Sequence, residues 1–284
     1  MIVVTGSSGK LGRHVIDALL ETTPAARIVA VARDPAKIDD LARRGVVVRR
    51  GDYDDPASLS AAFAGAERLL LVSSSEVGRR VAQHGAAIEA AKHARVPHLV
   101  YTSILKADSN RMGLAVEHKA TEGAIRASGL PFTFLRNGWY IENYTENLAP
   151  ALAHGTLIGA AGDGRIYAAA RADFARAAAT VLTKPGHENA IYELGGDHSF
   201  TMIELAAEVS EWAGRTIGYT NLPAEAYAQA LIGAGVPAAF AEVLADCDLG
   251  IARGDLVVTS GDLHRLIGRD TTTLKSVLAA LPRP

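Results

Sequence analysis

Through the first half of the chain, short runs of β-branched and aliphatic residues alternate with amphipathic stretches. The runs Ile2–Thr5, Ile28–Ala32, Val46–Arg49, Arg68–Val72, His98–Thr102 and Phe132–Leu135 predict strands. Between them Leu11–Leu20, Pro35–Arg43, Pro56–Phe63, Val77–Ala94 and Leu114–Ala127 predict helices, with Pro35 and Pro56 in first turns, where proline is tolerated. The strand runs are apolar throughout, as expected of strands buried on both faces in a parallel sheet covered by helices. After about Pro150 the rhythm loosens. Gly155 to Gly164 reads as a loop, Ala172–Thr183 as a helix, and Ala190–Leu194 as a strand ending at Gly195-Gly196. Thr201 can cap a helix over Met202–Trp212, with Glu204 as its capping-box partner. From Pro223 onward the pattern is mostly helical. The expected fold class is therefore α/β: a doubly wound parallel sheet over residues 1–150 with a returning segment at about 166–196. A smaller, mainly helical substrate-binding region over 197–284 completes it.

Ligands on such a sheet bind beyond the carboxyl ends of the strands, and four of those ends carry suggestive residues. The first strand runs into Thr5-Gly6-Ser7-Ser8-Gly9-Lys10-Leu11-Gly12, a glycine turn opening a helix. Its Gly-x-x-Gly-x-x-Gly spacing is one residue longer than the usual dinucleotide fingerprint. A turn of this kind brings bare backbone within reach of a phosphate, which then lies on the N–H groups at a helix start. Thr5 to Gly12 are thus expected to bind the cofactor. Arg33 follows strand two, about 20 positions past the glycines, where an acidic residue would favour NAD and an arginine the 2′-phosphate of NADP. NADP(H) is expected over NAD(H), although a solvated arginine at a strand end is the plain alternative. Asp52 and Tyr53 suit adenine, or else Asp52 closes a turn on its own backbone. Ser73 and Ser74, within Ser73-Ser74-Ser75, lie where the nicotinamide ribose is expected; Thr102 and Ser103 at the end of strand five complete the cofactor set.

Composition narrows the function classes. The net charge of −2 with dispersed signs offers no electrostatic footprint for nucleic acid or an anionic membrane. The one cysteine, Cys247, excludes an intrachain disulfide and suits a reducing cytoplasm, the expected location. A strand beginning at residue 2 leaves no room for a leader, and no apolar run is long enough to span a bilayer. The nine histidines show no metal-binding spacing, so no metal is expected.

The glycine turn, Gly51-Asp52-Tyr53 and Gly129-Leu-Pro-Phe-Thr-Phe-Leu-Arg136-Asn137 together resemble the atypical short-chain dehydrogenase/reductases of the NmrA-like group. Asp173 in Arg-Ala-Asp-Phe and the Tyr192-Glu-Leu-Gly-Gly196 strand extend the likeness along the chain. Thr121-Glu-x-Ala-Ile-Arg126 and Gly186-His-Glu-Asn189 are most similar to the type 2 NAD(P)H:quinone oxidoreductases and triphenylmethane reductases. The resemblance implies a Rossmann fold, NADPH, and hydride transfer to a small planar conjugated acceptor such as a quinone, by a monomer or homodimer. It also exposes a departure. Aligned on Glu122 and Gly129-Leu130-Pro131, the Tyr-x-x-x-Lys dyad of the wider superfamily is replaced by Leu114 and His118. Lys119 is one residue off, about 100° around the helix, and cannot simply substitute.

Three side chains are candidates for the chemistry. His118 could bond the ribose or protonate a quinone oxygen, or it could be a core histidine satisfied by a neighbour. Asn137 could bond the carboxamide or the substrate. Tyr140, with Trp139 and Tyr144, could stack on a flat acceptor or pack as core, and Phe240 could close the pocket or pack likewise. The competing function is an NmrA-like sensor that binds NADP(H) and conveys redox state without turnover, since loss of the dyad would also mark a retired enzyme.

Overall fold

A computed structural model describes residues 1–284. Nine strands run through it: β1 (Ile2–Val4), β2 (Ile28–Ala32), β3 (Val47–Arg50), β4 (Arg68–Leu71), β5 (Leu99–Ile104), β6 (Phe132–Asn137), β7 (Thr156–Gly159), β8 (Ala190–Leu194) and β9 (Gly218–Asn221). Seven form one sheet in the order β3-β2-β1-β4-β5-β6-β8, all parallel. β1, β2 and β5 are buried along their whole length, which explains why their sequences show no alternation. The strand order reverses between β1 and β4, so the crevice at their carboxyl ends is the topological switch point.

The helices predicted from periodicity are present at Lys10–Leu20, Pro56–Ala62, Arg80–His93 and Gly113–Ser128. Pro35–Arg43 divides into a 3₁₀ turn, Pro35–Ile38, and a short helix, Asp39–Arg43. The capping box of Thr201 and Glu204 starts the helix Met202–Ala213. One face of the sheet packs Val4, Leu70 and Val100 against Ile16 and Leu19 of the first helix and Phe174, Ala178 and Val181 of the returning helix Arg171–Thr183. Leu263, far along the chain, joins this layer. The other face packs Val3, Leu71 and Tyr101 against Phe63, Ile88 and Ile125. A third apolar cluster ties Leu105 and Met112 to Leu205, Val209, Ile251 and Leu278 of the late region.

One expectation fails here. Gly155 to Gly164 is not all loop: Thr156–Gly159 is β7, paired in parallel with β9. Its partner lies some 60 residues onward, and four residues flanked by glycines carry no local signature of that pairing. No helix is long and apolar enough to cross a membrane.

Candidate functional site

The crevice at the switch point is a cleft of about 390 Å³, lined from one end by Arg33, Asp52 and Tyr53, through Thr5, Gly6 and Ser8–Gly12, to Ser73–Glu76, Tyr140 and Arg171. The glycine turn is its floor. Gly6 adopts φ +60°, a left-handed conformation that favours glycine, and its carbonyl accepts from Gly9 N at 2.9 Å. A Cβ on Gly12 would sit 2.3 Å from the Gly6 carbonyl oxygen, so only glycine lets the helix start so close to the turn. No side chain caps that helix. Its first N–H groups are therefore not taken up by a cap, the arrangement that receives a phosphate.

Most of the expected cofactor residues line this cleft: Thr5, Gly6, Ser8, Gly9, Lys10, Leu11, Gly12, Arg33, Asp52, Tyr53, Ser73 and Ser74. Thr5 and Tyr53 also build the floor. Thr5 Oγ1 donates to Leu70 O and accepts from Val72 N, while the Tyr53 hydroxyl lies 2.6 Å from Thr5 Oγ1 and 2.7 Å from Val72 O. Asp52 closes the turn and also faces the cleft; its Oδ1 accepts from Asp54 N at 3.1 Å. Arg33 reaches the rim with its side chain 67% exposed, paired to Glu76 at 2.7 Å. Lys10 pairs with Glu146, which also holds Arg171 at 2.6 Å.

Four expected residues stand elsewhere. Ser7 is fully buried beneath the turn, donating to Val4 O and accepting from Val31 N, because its position in the turn aims it down at β2. Thr102 is buried behind the serine loop, its Oγ1 accepting from Ser73 N at 2.9 Å. Ser103, next along β5, points to the opposite face and donates to Glu122 Oε1 at 2.6 Å. His118 does not line the cleft either. Its helix turns it onto β5, where Nδ1 meets the Tyr101 hydroxyl at 2.7 Å. Burial, with the charge of Arg80 and then His84 adding to it, pushes its pKa down to about 3, so the ring is neutral.

Of the proposed chemistry residues, Tyr140 lines the cleft. Its ring packs edge-on against Phe174, with the Arg171 guanidinium 5.0 Å from its centroid. Asn137 is buried behind it, with Nδ2 3.4 Å from the Tyr140 hydroxyl and an Oδ1 that finds no partner. Trp139 and Tyr144 pack against the third apolar cluster, whereas Phe240 is half exposed. Sequence reasoning missed Glu76, Arg80, Gln83 and Arg171 as lining residues. Arg171 heads the Arg-Ala-Asp-Phe stretch, Glu76 directly follows the serine triplet, and Arg80 and Gln83 lie in the first turn of the next helix, so position was the available signal. Asp173 is structural: fully buried, it ties down the late segment by accepting from Arg269 and Thr272.

The donors fit a dinucleotide phosphate: a glycine cradle that a Cβ would fill, uncapped N–H groups, and four cationic side chains, Lys10, Arg33, Arg80 and Arg171, around one opening. Residues 1–249 match the model of the NmrA-like family. The chain belongs to the NmrA-like family. Quinone oxidoreductase 2 of Escherichia coli (strain K12) is 49% identical to this family member over 281 residues, spanning 99% of this chain and 98% of that protein. A crystal structure of an E. coli NADPH-dependent quinone oxidoreductase complexed with NADPH superposes with a TM-score of 0.96, covering 98% of this chain and 99% of that one. The triphenylmethane reductase of Citrobacter sp., complexed with NADP(H), is 40% identical with a TM-score of 0.94, covering 99% of this chain and all of that one. The NAD(P)H azoreductase of Xenophilus azovorans is 31% identical over 245 residues, 86% of this chain and 85% of that protein.

Proposed function

We propose that the chain is an NADPH-dependent reductase of quinones or similar planar conjugated acceptors. The observation that carries the reading is the switch-point cleft, with a glycine cradle at its centre and Arg33 at the rim, in a chain 49% identical to a quinone oxidoreductase. NADPH, when bound, supplies the hydride from its nicotinamide ring. The protein's own work is orientation. The turn Gly6–Gly12 and the following N–H groups hold the pyrophosphate, Arg33 leaves Glu76 to hold the 2′-phosphate, and Asp52 with the Tyr53 ring flanks the adenine. Ser73, Ser74 and Tyr140 would border the nicotinamide half, with Asn137 behind Tyr140.

The acceptor must do without a protonating side chain at the dyad positions. Leu114 and His118 replace the acid dyad, and the buried imidazole, with its pKa near 3, is no acid at neutral pH. The proton therefore comes from solvent. Quinones and other electron-poor conjugated systems tolerate this, whereas simple ketones do not. A cytoplasmic location and a monomeric or homodimeric state complete the reading. The test is NADPH consumption by purified protein across a small quinone panel. Catalytic turnover is expected; tight NADP binding with no turnover of any acceptor would overturn the enzyme reading in favour of a redox sensor.

A further inference from the structure

Arg80 opens the helix that follows the serine triplet and lines the cleft on the side of β4. In a sheet of this order the adenine half of a dinucleotide lies over β2 and β3, and the nicotinamide half over the strands beyond the switch point. Arg80 therefore belongs to the reactive end. It is only 8% exposed, and its Nε donates to Ser74 O at 2.5 Å. Nη1 is shut off from solvent with no partner at all. No carboxylate lies within ion-pair reach of Arg80, although the other two buried arginines, Arg136 and Arg171, are both paired. Burial lowers its pKa from the usual arginine value, and its charge adds to the burial that lowers the pKa values of His84 and His118 beside it. A buried, unpaired guanidinium is costly unless a ligand completes it.

Resting on the reductase reading above, we propose that Arg80 is a catalytic residue whose guanidinium, through the edge that lines the cleft, donates to the acceptor's carbonyl oxygen and holds the negative charge that arrives there with the hydride. A quinone gains the hydride at a ring carbon conjugate to that carbonyl, and the displaced electron pair settles on the oxygen facing Arg80. NADPH leaves oxidised as NADP⁺. A solvent proton and tautomerisation complete the hydroquinone, while Arg80 keeps its own protons throughout. Aimed at the developing oxyanion in a water-poor site, such a donor acts mainly on the rate.

The sign of the charge makes the role specific. A quinone becomes anionic as it accepts hydride, but a triarylmethyl cation becomes neutral, so Arg80 helps the first and repels the second. Arg80 is in this sense a determinant of acceptor class.

The decisive experiment compares R80Q and R80K with the wild type, using a quinone and a cationic triarylmethyl dye. R80Q should lower kcat with the quinone by about 10²-fold and leave kcat/KM for the dye unchanged or higher, while R80K recovers part of the quinone rate. NADPH affinity, read by fluorescence titration, should stay the same. The ionised form of 2-hydroxy-1,4-naphthoquinone, followed by fluorescence quenching, should bind R80Q about tenfold more weakly, and neutral 1,4-naphthoquinone about equally. Equal rate losses for both acceptors would overturn the proposal, as would a selective loss of NADPH affinity. Failure of both variants to fold would instead make Arg80 a structural residue. A wild type that turns over no quinone sinks the reductase reading, while the naphthoquinone pair still judges Arg80 separately.

Discussion

Arg136, at the end of β6, and Arg80, just beyond the end of β4, are both buried at the carboxyl side of the same sheet, in opposite surroundings. Arg136 donates to Glu122 through Nε and Nη2, to Glu193 at 2.9 Å and to Asp108 at 2.7 Å, and Ser103 adds a bond to the same Glu122. Burial pulls its pKa down, but bonds from Glu122, Glu193 and Asp108 outweigh that and leave it raised. Arg80 has one backbone acceptor and no acid. The first arrangement is closed: it locks β5, β6, β8 and the helix Gly113–Ser128 together, with no capacity for a ligand. The second is open, and its missing partners are where a ligand must supply them. Saturation of hydrogen bonds separates framework from site more sharply than residue type does.

The largest expected effect breaks the closed side. Glu122→Ala removes two of the four carboxylate bonds of the buried Arg136 and should cost about 3–5 kcal/mol, lowering the thermal midpoint by roughly 10 °C, while the folded fraction keeps its turnover. A midpoint that barely moves would show that the two regions are not different in kind.

Acid should act next. His84, His98 and His118 have pKa values lowered by burial to about 4, 4 and 3, so the unfolded chain takes up their protons near pH 6.5 before the native state does. Their contribution to stability is present above pH 6.5 and is lost as pH falls toward 4. Asp248 runs the other way. Burial raises its pKa to about 6, so its native protonation between pH 6 and its unfolded value offsets one histidine. With two protons net, stability should fall on the order of 2 kcal/mol per pH unit below pH 6; a midpoint that is flat between pH 7 and 5 in denaturation scans would contradict the neutral-histidine picture.

His118→Ala probes the border between the regions. Removing the partner of the Tyr101 hydroxyl should cost about 1–3 kcal/mol with turnover per folded molecule retained. Lost turnover at an unchanged thermal midpoint would return His118 to the chemistry. The smallest effect belongs to the exposed rim, where Arg33→Ala should weaken NADPH about tenfold more than NADH. Equal losses in a pair of fluorescence titrations would show that Arg33 does not read the 2′-phosphate.

Much of this was legible in the sequence, for a physical reason. β1 to β6 and the glycine turn announce themselves through local periodicity, and Arg33 and Asp52 sit at fixed offsets from them. What escaped was direction and company. Thr102 and Ser103 occupy the expected strand end, yet side chains alternate across a sheet and neither faces the cleft. His118 holds the expected helix position but is turned to Tyr101, which depends on how that helix lies on β5. Arg80 was hidden for the opposite reason: a charged residue opening a helix reads as solvated, and only the packing around it shows that it has no partner.

Glu76 gathers three donors, Arg33, Arg79 and Gln83. The cleft thus carries a resident anion, and under the role proposed for Arg33 a phosphorylated ribose would enter by exchange with it. Any preference for NADPH then measures a competition between two anions for one guanidinium, in which the protein's own carboxylate sets the threshold that the incoming phosphate has to exceed.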